Sequence, residues 1–249
     1  MSGHSKWATI KRKKGDLDAK RGNAFTKIVR ELIIAAKKGG GNVDSNSSLR
    51  TIVLKARSVN MPADNIKRAI QRGTGELEGV TYEEITYEGY GPGGVAVLVA
   101  ASTDNKNRSS ADIRTIFGKS GGNMGEAGCV SWMFKKKGLI VVPKANAKED
   151  ELMELVLDLG ADDLQVMETE FDILTTPESF EKVKAGIDAK KIAYDSAEIT
   201  MLPENYIKLT GNTAKAMLNL LENLEENDDV GHVYANFDIS DEEMAKLQE

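Results

Sequence analysis

The pattern of apolar and polar positions divides the chain into a helical first third and an α/β remainder. In the first segment, apolar residues recur at helical spacing: Phe25, Ile28, Val29, Leu32, Ile33 and Ala36. This stripe predicts one long helix that ends at the glycines of 39–41. Shorter apolar stripes at 49–59 and 66–70, separated by Pro62, predict two more helices and therefore a three-helix bundle over 15–75.

Beyond the glycine-rich, acidic stretch at 73–79, the pattern alternates with the period of two that is typical of strands. It first predicts strands at 82–88 and 94–102, a helix around 113–117 and a strand at 129–134. It then predicts a strand at 138–143, a helix at 148–160, strands at 163–168 and 170–176, a helix at 178–190 and a strand at 192–201. The second series is a complete βαββαβ unit of the ferredoxin-like type.

The end of the chain predicts a helix around 217–224 and a strand at 230–238, which are too little to bury a core alone. The segment 80–134 lacks a helix and a strand, so this pair can complete it. We therefore predict an α+β protein with an N-terminal three-helix bundle and two ferredoxin-like α/β domains, the last inserted into the discontinuous middle one. The predicted parts are a basic flexible arm at 1–14, a helical basic domain at 15–75, a discontinuous domain of 80–134 plus 204–239, an inserted domain at 135–203 and an acidic, loosely held tail at 240–249.

The net charge of -6 conceals two parts of opposite sign. Residues 1–75 contain 17 Lys and Arg against 5 Asp and Glu, whereas residues 76–249 contain 16 against 34. An acidic body repels polyanions while a basic end attracts them. We therefore expect the chain to approach nucleic acid through its N-terminal part.

Candidate phosphate contacts lie in three groups. The arm contributes Lys6, Trp7, Lys11, Arg12, Lys13 and Lys14; the first helix contributes Lys20, Arg21, Lys27 and Arg30; the third helix contributes Lys67, Arg68 and Arg72. At about 100° per residue, several cations of the first helix project opposite its apolar stripe, so we expect a basic ridge that faces solvent: Lys20, Lys27, Arg30, Lys37 and Lys38. Trp7 either stacks on an unpaired base or packs back on the helical core.

Base-reading motifs are missing from the sequence: there is no helix-turn-helix spacing, RNP motif or zinc finger. Affinity should therefore come mainly from phosphates and depend steeply on salt.

Other chemistry is weakly represented. The only histidines are His4 and His232 and the only cysteine is Cys129, so we expect no zinc site, no cofactor and no internal disulfide. Phe117-Gly118-Lys119-Ser120 is similar to the end of a phosphate loop, but it follows a predicted helix instead of preceding one, which favours a turn. No apolar run approaches the roughly 20 residues that span a bilayer. We expect a soluble, cytoplasmic protein.

Several short motifs closely resemble those of the YebC family. They are Gly3-His4-Ser5-Lys6-Trp7, Ala19-Lys20-Arg21-Gly22, Phe25-Thr26-Lys27, Asn60-Met61-Pro62, the segment 87–96 and Gly121-Gly122-Asn123. The resemblance runs through about Val142 and is more diffuse beyond. It implies three domains with the middle one discontinuous, and a DNA-binding transcriptional regulator. Mitochondrial and some bacterial members of the family act in translation at the ribosome, including relief of stalling at proline-rich stretches. The resemblance therefore also implies a translational role as an alternative.

We therefore predict a non-enzymatic, nucleic-acid-binding regulator of gene expression, a transcriptional regulator that binds duplex DNA through its basic N-terminal domain. A translation factor associated with the ribosome or ribosomal RNA is the alternative, and the acidic α/β domains are expected to offer surfaces to the ribosome or to regulatory proteins. An enzyme, suggested only by the glycine-rich loops, and a pure scaffold are the rivals from other classes.

Overall fold

The computed structural model describes the backbone of residues 17–247 and the side chains of 24–240 and 242–247. Helices α1 (Leu17–Gly39), α2 (Ser47–Ser58) and α3 (Ala63–Thr74) form the predicted helical bundle. The side chains of Leu32, Leu49 and Ala56 are fully buried at its centre. Packing of the three apolar stripes against one another explains why the spacing in the sequence was sufficient to predict this domain.

Two local features hold the bundle together. The buried side chain of Asn46 caps α2 by accepting the Leu49 N–H at 3.0 Å, and it donates to the carbonyl of Ala35 at 2.9 Å, which ties α2 to α1. Gly73 allows α3 to approach α1 closely, because a Cβ there would lie 2.4 Å from the carbonyl oxygen of Ile33.

The middle domain is built around a four-stranded antiparallel sheet. Its elements before the insertion are β1 (Glu83–Tyr90), β2 (Ala96–Thr103), α4 (Lys106–Lys119) and β3 (Asn123–Met124). After the insertion come β8 (Ile207–Lys208), α7 (Gly211–Glu226), β9 (Val230–Ala235), β10 (Phe237–Asp238) and α8 (Asp241–Lys246). The strand order β3-β1-β2-β9 places the C-terminal β9 beside β2, so this sheet takes strands from both sides of the inserted segment.

The inserted segment forms the predicted βαββαβ unit. Its elements are β4 (Phe134–Pro143), α5 (Glu149–Asp158), β5 (Asp163–Val166), β6 (Glu170–Thr175), α6 (Phe180–Ala189) and β7 (Ser196–Pro203), with strand order β5-β6-β4-β7. Ile140 and Ile173 face Val183 and Ile187 in its core. Because side chains alternate along a strand, Leu139, Asp172 and Leu174 project from the opposite face of the sheet.

The predicted strand at 129–134 is wrong. Residues 131–133 form a short 3-10 turn, and the third strand of the middle sheet is the shorter β3. The cause is the buried carboxylate of Glu88, which accepts the backbone N–H groups of Gly128, Val130 and Ser131, each at 2.7 Å. These N–H groups are therefore not available to a strand ladder.

The C-terminal end also differs from the prediction. Residues 241–246 form helix α8, and Met244 is buried in the core of the middle domain, so this part of the tail is not loosely held. The strand predicted at 230–238 is divided at Asn236, whose side chain accepts the N–H of Ala96 at 2.7 Å. The exact domain boundaries given above stay a prediction, and the arm at 1–14 lies outside the described residues.

The contribution of Glu88 to stability, through its hydrogen bonds to the 128–131 loop, can be tested. Burial by itself raises the pKa of Glu88, but the hydrogen bonds from Gly128, Val130 and Ser131 outweigh it and hold the pKa below its ordinary value of 4.5. Glu88→Gln should lower the free energy of unfolding by about 2 kcal/mol at neutral pH, because an amide cannot accept all three N–H groups. Denaturant unfolding measures this difference.

The pH dependence has a defined sign. Because the folded pKa is depressed, the stabilisation by Glu88 is fully present above the ordinary value of 4.5 and is lost as pH falls through the folded pKa. The gap between the parent protein and Glu88→Gln should therefore close in acid. Glu154→Gln, at an exposed glutamate on α5, is the control; equal losses in both variants would contradict this role for Glu88.

Candidate nucleic-acid interface

One side of α1 contacts the middle domain. At helical spacing, Lys27, Arg30, Glu31, Ile34 and Lys38 share this side, which we call the α1 seam. The Lys27 ammonium donates to the carbonyl oxygen of Glu225 at 2.5 Å, and Lys38 forms an ion pair with Glu84. Ile34 is buried. The α1 seam therefore joins the helical domain to the acidic middle domain.

The strongest contact of the α1 seam is between Arg30 and Asp229. Arg30 Nη1 lies 2.8 Å from Asp229 Oδ1, with 11% of the arginine side chain and 5% of the aspartate side chain exposed. Arg30 also donates to the carbonyl oxygens of Asp228 and Ser102, and its guanidinium lies 5.2 Å from the ring centre of Tyr82. Arg30 is therefore held by both charge and aromatic contact.

Asp229 is the centre of a wider polar cluster. Its Oδ2 accepts from Ser109 Oγ at 2.5 Å, from Arg108 Nη2 at 2.9 Å and from Thr103 Oγ1 at 3.2 Å. Burial opposes ionisation of Asp229, but the hydrogen bonds from Ser109 and Arg108 and the charges of Arg30 and Arg108 prevail and lower its pKa. The carboxylate therefore stays ionised and joins α1, α4 and the start of β9.

The expectation of a solvent-facing ridge on α1 is therefore wrong for Lys27 and Arg30. Both side chains point at acidic or carbonyl groups of the middle domain. The physical reason is that the apolar stripe of α1 packs inside the bundle while the opposite side meets a second domain. Lys37 is exposed.

The third helix presents a different surface. Lys67, Arg68 and Arg72 are exposed, and they form no ion pair with any other residue in the described part of the chain. Arg68 and Arg72 are one turn apart on the outer side, while Lys67 lies on the flank that faces α2. These side chains can reach phosphates without breaking a contact of the fold.

A groove between α2 and α3 adds a residue that sequence reasoning missed. The groove has a volume of about 660 Å³ and is lined by apolar residues such as Val53, Met61 and Ile66, together with Arg57 and Lys67. Arg57 is exposed and, like its neighbours on α3, unpaired within the described residues. Projection of α2 onto a helical wheel would have placed Arg57 beside the buried Val53 and Ala56, on the side toward α3.

Several predicted site residues belong to the N-terminal part of the chain that lies outside the described side chains. Arm residues Lys6, Trp7, Lys11, Arg12, Lys13 and Lys14 lie outside the described residues. The backbone of Lys20 and Arg21 is part of α1, but their side chains also lie outside what is described.

Among residues 24–240 and 242–247, whose side chains the structure describes, no group of three or more His, Cys, Asp and Glu side chains is arranged to hold a metal ion. Burial raises the pKa of the Cys129 thiol, and the charge of Glu88 raises it further, so the reactive thiolate is disfavoured. Gly118 and Lys119 are the last residues of α4, and the turn that begins at Ser120 follows the helix, as expected. None of the helices in the described part is long and apolar enough to cross a membrane.

Two family models match this chain, and the boundary between them lies between the helical domain and the middle domain. Residues 5–76 match the model of the TACO1/YebC protein N-terminal domain, and residues 82–237 match that of the TACO1/YebC second and third domain. The chain belongs to the TACO1/YebC family. The family assignment agrees with the resemblance seen in the sequence motifs.

Relatives from the TACO1/YebC family match over nearly their whole length. A probable transcriptional regulatory protein of Syntrophobacter fumaroxidans is 56% identical over 248 residues, covering 99% of this chain and 100% of the relative. One from Geobacter sulfurreducens is 57% identical over 247 residues, covering 99% and 100%. The crystal structure of a conserved hypothetical protein from Aquifex aeolicus is 45% identical with a TM-score of 0.79, covering 90% and 93%.

The contact between Arg30 and Asp229 can be tested directly in this TACO1/YebC protein. Arg30→Met should lower the free energy of unfolding by about 3 kcal/mol, because it leaves a buried carboxylate with one charge partner fewer. The double variant with Asp229→Asn should lose less than the sum of the single variants. Urea unfolding and hydrogen exchange around residues 225–230 report the two effects. Lys37→Met, an exposed cation on the same helix, is the control; equal losses for both residues would contradict the assignment.

Proposed function

We propose that this protein is a non-enzymatic regulator of gene expression that binds nucleic acid, in the first place duplex DNA, through α3 and the neighbouring end of α2. The observation that carries the proposal is the group Arg57, Lys67, Arg68 and Arg72, which is exposed and without ion pairs in the described part of the chain. Below we call this group the α3 cationic surface. Arginine and lysine side chains of this kind bind phosphates.

The names of the relatives support a regulatory role. Those from Syntrophobacter fumaroxidans and Geobacter sulfurreducens are named probable transcriptional regulatory proteins, and they align with nearly all of this chain. A regulator of transcription has to act on or near DNA, which matches a surface suited to phosphates.

The α1 seam contributes to binding indirectly. It uses Lys27, Arg30 and Lys38 to fix the helical domain against the middle domain, so these cations are not the primary phosphate contacts. Residues 76–249 carry 34 acidic against 16 basic residues and repel a polyanion. The rigid attachment therefore orients the molecule with its α3 cationic surface toward the nucleic acid.

The α3 cationic surface recognises phosphate more readily than bases. Phosphate contacts fix position and orientation, whereas sequence is read through base edges or through the shape of the duplex. The arm, with its five cations, remains the second candidate for phosphate contact. We therefore expect affinity that depends strongly on salt and only modestly on sequence.

The α3 cationic surface can be tested by removing three charges at once. Lys67→Gln, Arg68→Gln and Arg72→Gln together should reduce affinity for a duplex of about 20 base pairs. They should also make the slope of log K against log salt shallower by about 3, because binding releases fewer counterions when the protein contacts three phosphates fewer. Fluorescence anisotropy titrations between low and physiological salt measure both quantities.

A matched variant controls for total charge. Lys182, Lys190 and Lys191 are exposed on the inserted domain, and replacing all three with Gln removes the same charge from another surface. This control should leave the slope nearly unchanged. Equal losses in both triple variants would show a general charge effect and would overturn the proposed surface.

The nature of the polymer is a separate test. If duplex DNA is the target, the protein should bind DNA at a salt concentration at which it does not co-sediment with ribosomes in a sucrose gradient. The same cations can meet the phosphates of ribosomal RNA. Co-sedimentation that is lost in the α3 triple variant, together with weak duplex binding, would replace the DNA proposal with a translation factor at the ribosome.

A further inference from the structure

The face of the inserted sheet opposite α5 and α6 contains a second groove. This groove has a volume of about 300 Å³ and is lined by Leu139, Leu174, Tyr206 and the carboxylate Asp172, among others. It lies far from α3 along the chain and plays no part in the α1 seam. Its chemistry is therefore not explained by the function proposed above.

Asp172 is the unusual group in this groove. Only 5% of the residue is exposed, and its Oδ1 has no hydrogen-bond partner within the described residues. Burial raises the pKa of Asp172 to about 6, so the carboxylate is still mainly ionised near pH 7. A buried, ionised carboxylate is costly unless a cation or a hydrogen-bond donor compensates it.

The two lysines that line the same groove do not supply that compensation. Lys137 Nζ lies 2.5 Å from Asp162 Oδ2, and Lys135 forms an ion pair with Glu204. Each lysine is thus already held by another carboxylate at the edge of the groove. The cation that Asp172 requires has to come from another part of the chain or from another molecule.

We propose that the arm, residues 1–14 of this same chain, docks in the groove and places one of its cationic groups against the Asp172 carboxylate. The arm contains Lys6, Lys11, Arg12, Lys13 and Lys14 and no acidic residue. The face it meets is acidic, with Asp163 and Glu198 beside Leu174 and Leu139 in the sheet register. The two surfaces are complementary in charge.

The arm can reach the groove. Glu31 of α1 lies 4.0 Å from His232 Nε2 on β9, and β9 contacts β7, the edge strand of the inserted sheet. α1 therefore lies near this edge of the inserted sheet. From Glu31 to Leu17 the helix extends about 20 Å. The 16 residues that precede Leu17 span up to about 50 Å when extended, which is sufficient to enter a groove on a neighbouring domain.

Docking of the arm would affect nucleic-acid binding, but the docking proposal does not depend on the function proposed above. An arm held on Asp172 has fewer cations available for phosphates, so the groove would act as an internal competitor. Because the contact is intramolecular, its effective concentration is high and does not depend on the amount of protein.

Trp7 provides a local probe of the arm. In the full-length chain with Trp132→Phe, Trp7 is the only tryptophan, so its fluorescence anisotropy and its quenching by neutral acrylamide report docking. Asp172→Asn should decrease the docking equilibrium constant about tenfold, the effect of losing one charge-assisted hydrogen bond. Anisotropy should fall and quenching should rise. Replacing Lys11, Arg12, Lys13 and Lys14 with Gln should do the same from the side of the arm.

Asp158→Asn is the matched control, because it removes an exposed carboxylate from α5, on the other side of the sheet, and should leave both signals unchanged. The proposal is overturned if Asp172→Asn leaves the Trp7 anisotropy and quenching unchanged, or if Asp158→Asn has an equal effect. Carbodiimide cross-linking of the parent protein should join the arm to the 168–175 segment in the monomer; cross-links found only in a dimer would assign the groove to a second copy instead. Nucleic acid is absent from these assays, so their outcome is independent of the DNA titrations.

Discussion

The carboxylate of Asp229 is the charge on which the arrangement of the helical and middle domains depends. It is buried, so it has to be compensated, and it is compensated from two directions by Arg30 of α1 and Arg108 of α4. Ser109 and Thr103 satisfy the remaining capacity of its oxygens. A rigid joint of this kind positions one domain against another more definitely than an apolar contact of similar size, because each hydrogen bond has a required direction.

This joint changes how the charge of the protein is distributed. The basic first 75 residues and the acidic remainder attract each other, and part of the positive charge is neutralised where they meet. Arg30, Lys27 and Lys38 are used in this way. Among the residues whose side chains are described, an exposed positive surface without ion pairs remains on α3, with Arg57 of α2 beside it. Charge segregation along the chain therefore contributes to assembly of the domains, and under the function proposed above it also contributes to recognition of a polyanion.

The sequence was most informative where structure depends on neighbours a few residues away. The apolar stripes of α1, α2 and α3 and the strand periodicity of the inserted unit predicted their elements to within a few residues. Prediction was wrong where a distant group decides the outcome. The Glu88 carboxylate binds the N–H groups of Gly128, Val130 and Ser131 from about 40 positions away, and Asp229 binds Arg30 from 199 positions away. Helical spacing placed Arg30 opposite the apolar stripe correctly, but spacing cannot tell whether solvent or a second domain lies on that side.

The groove at Asp172 extends the same principle to the arm. An acidic domain linked to a basic segment will compete with any external polyanion for that segment unless the two are kept apart. A nucleic acid can prevail in this competition because it offers many phosphates at once and releases counterions, whereas the groove offers one buried carboxylate and a few exposed ones. The internal contact therefore weakens binding to isolated or sparse anions more than binding to a long duplex. In this way an acidic body can add selectivity for extended polyanions without reading a single base.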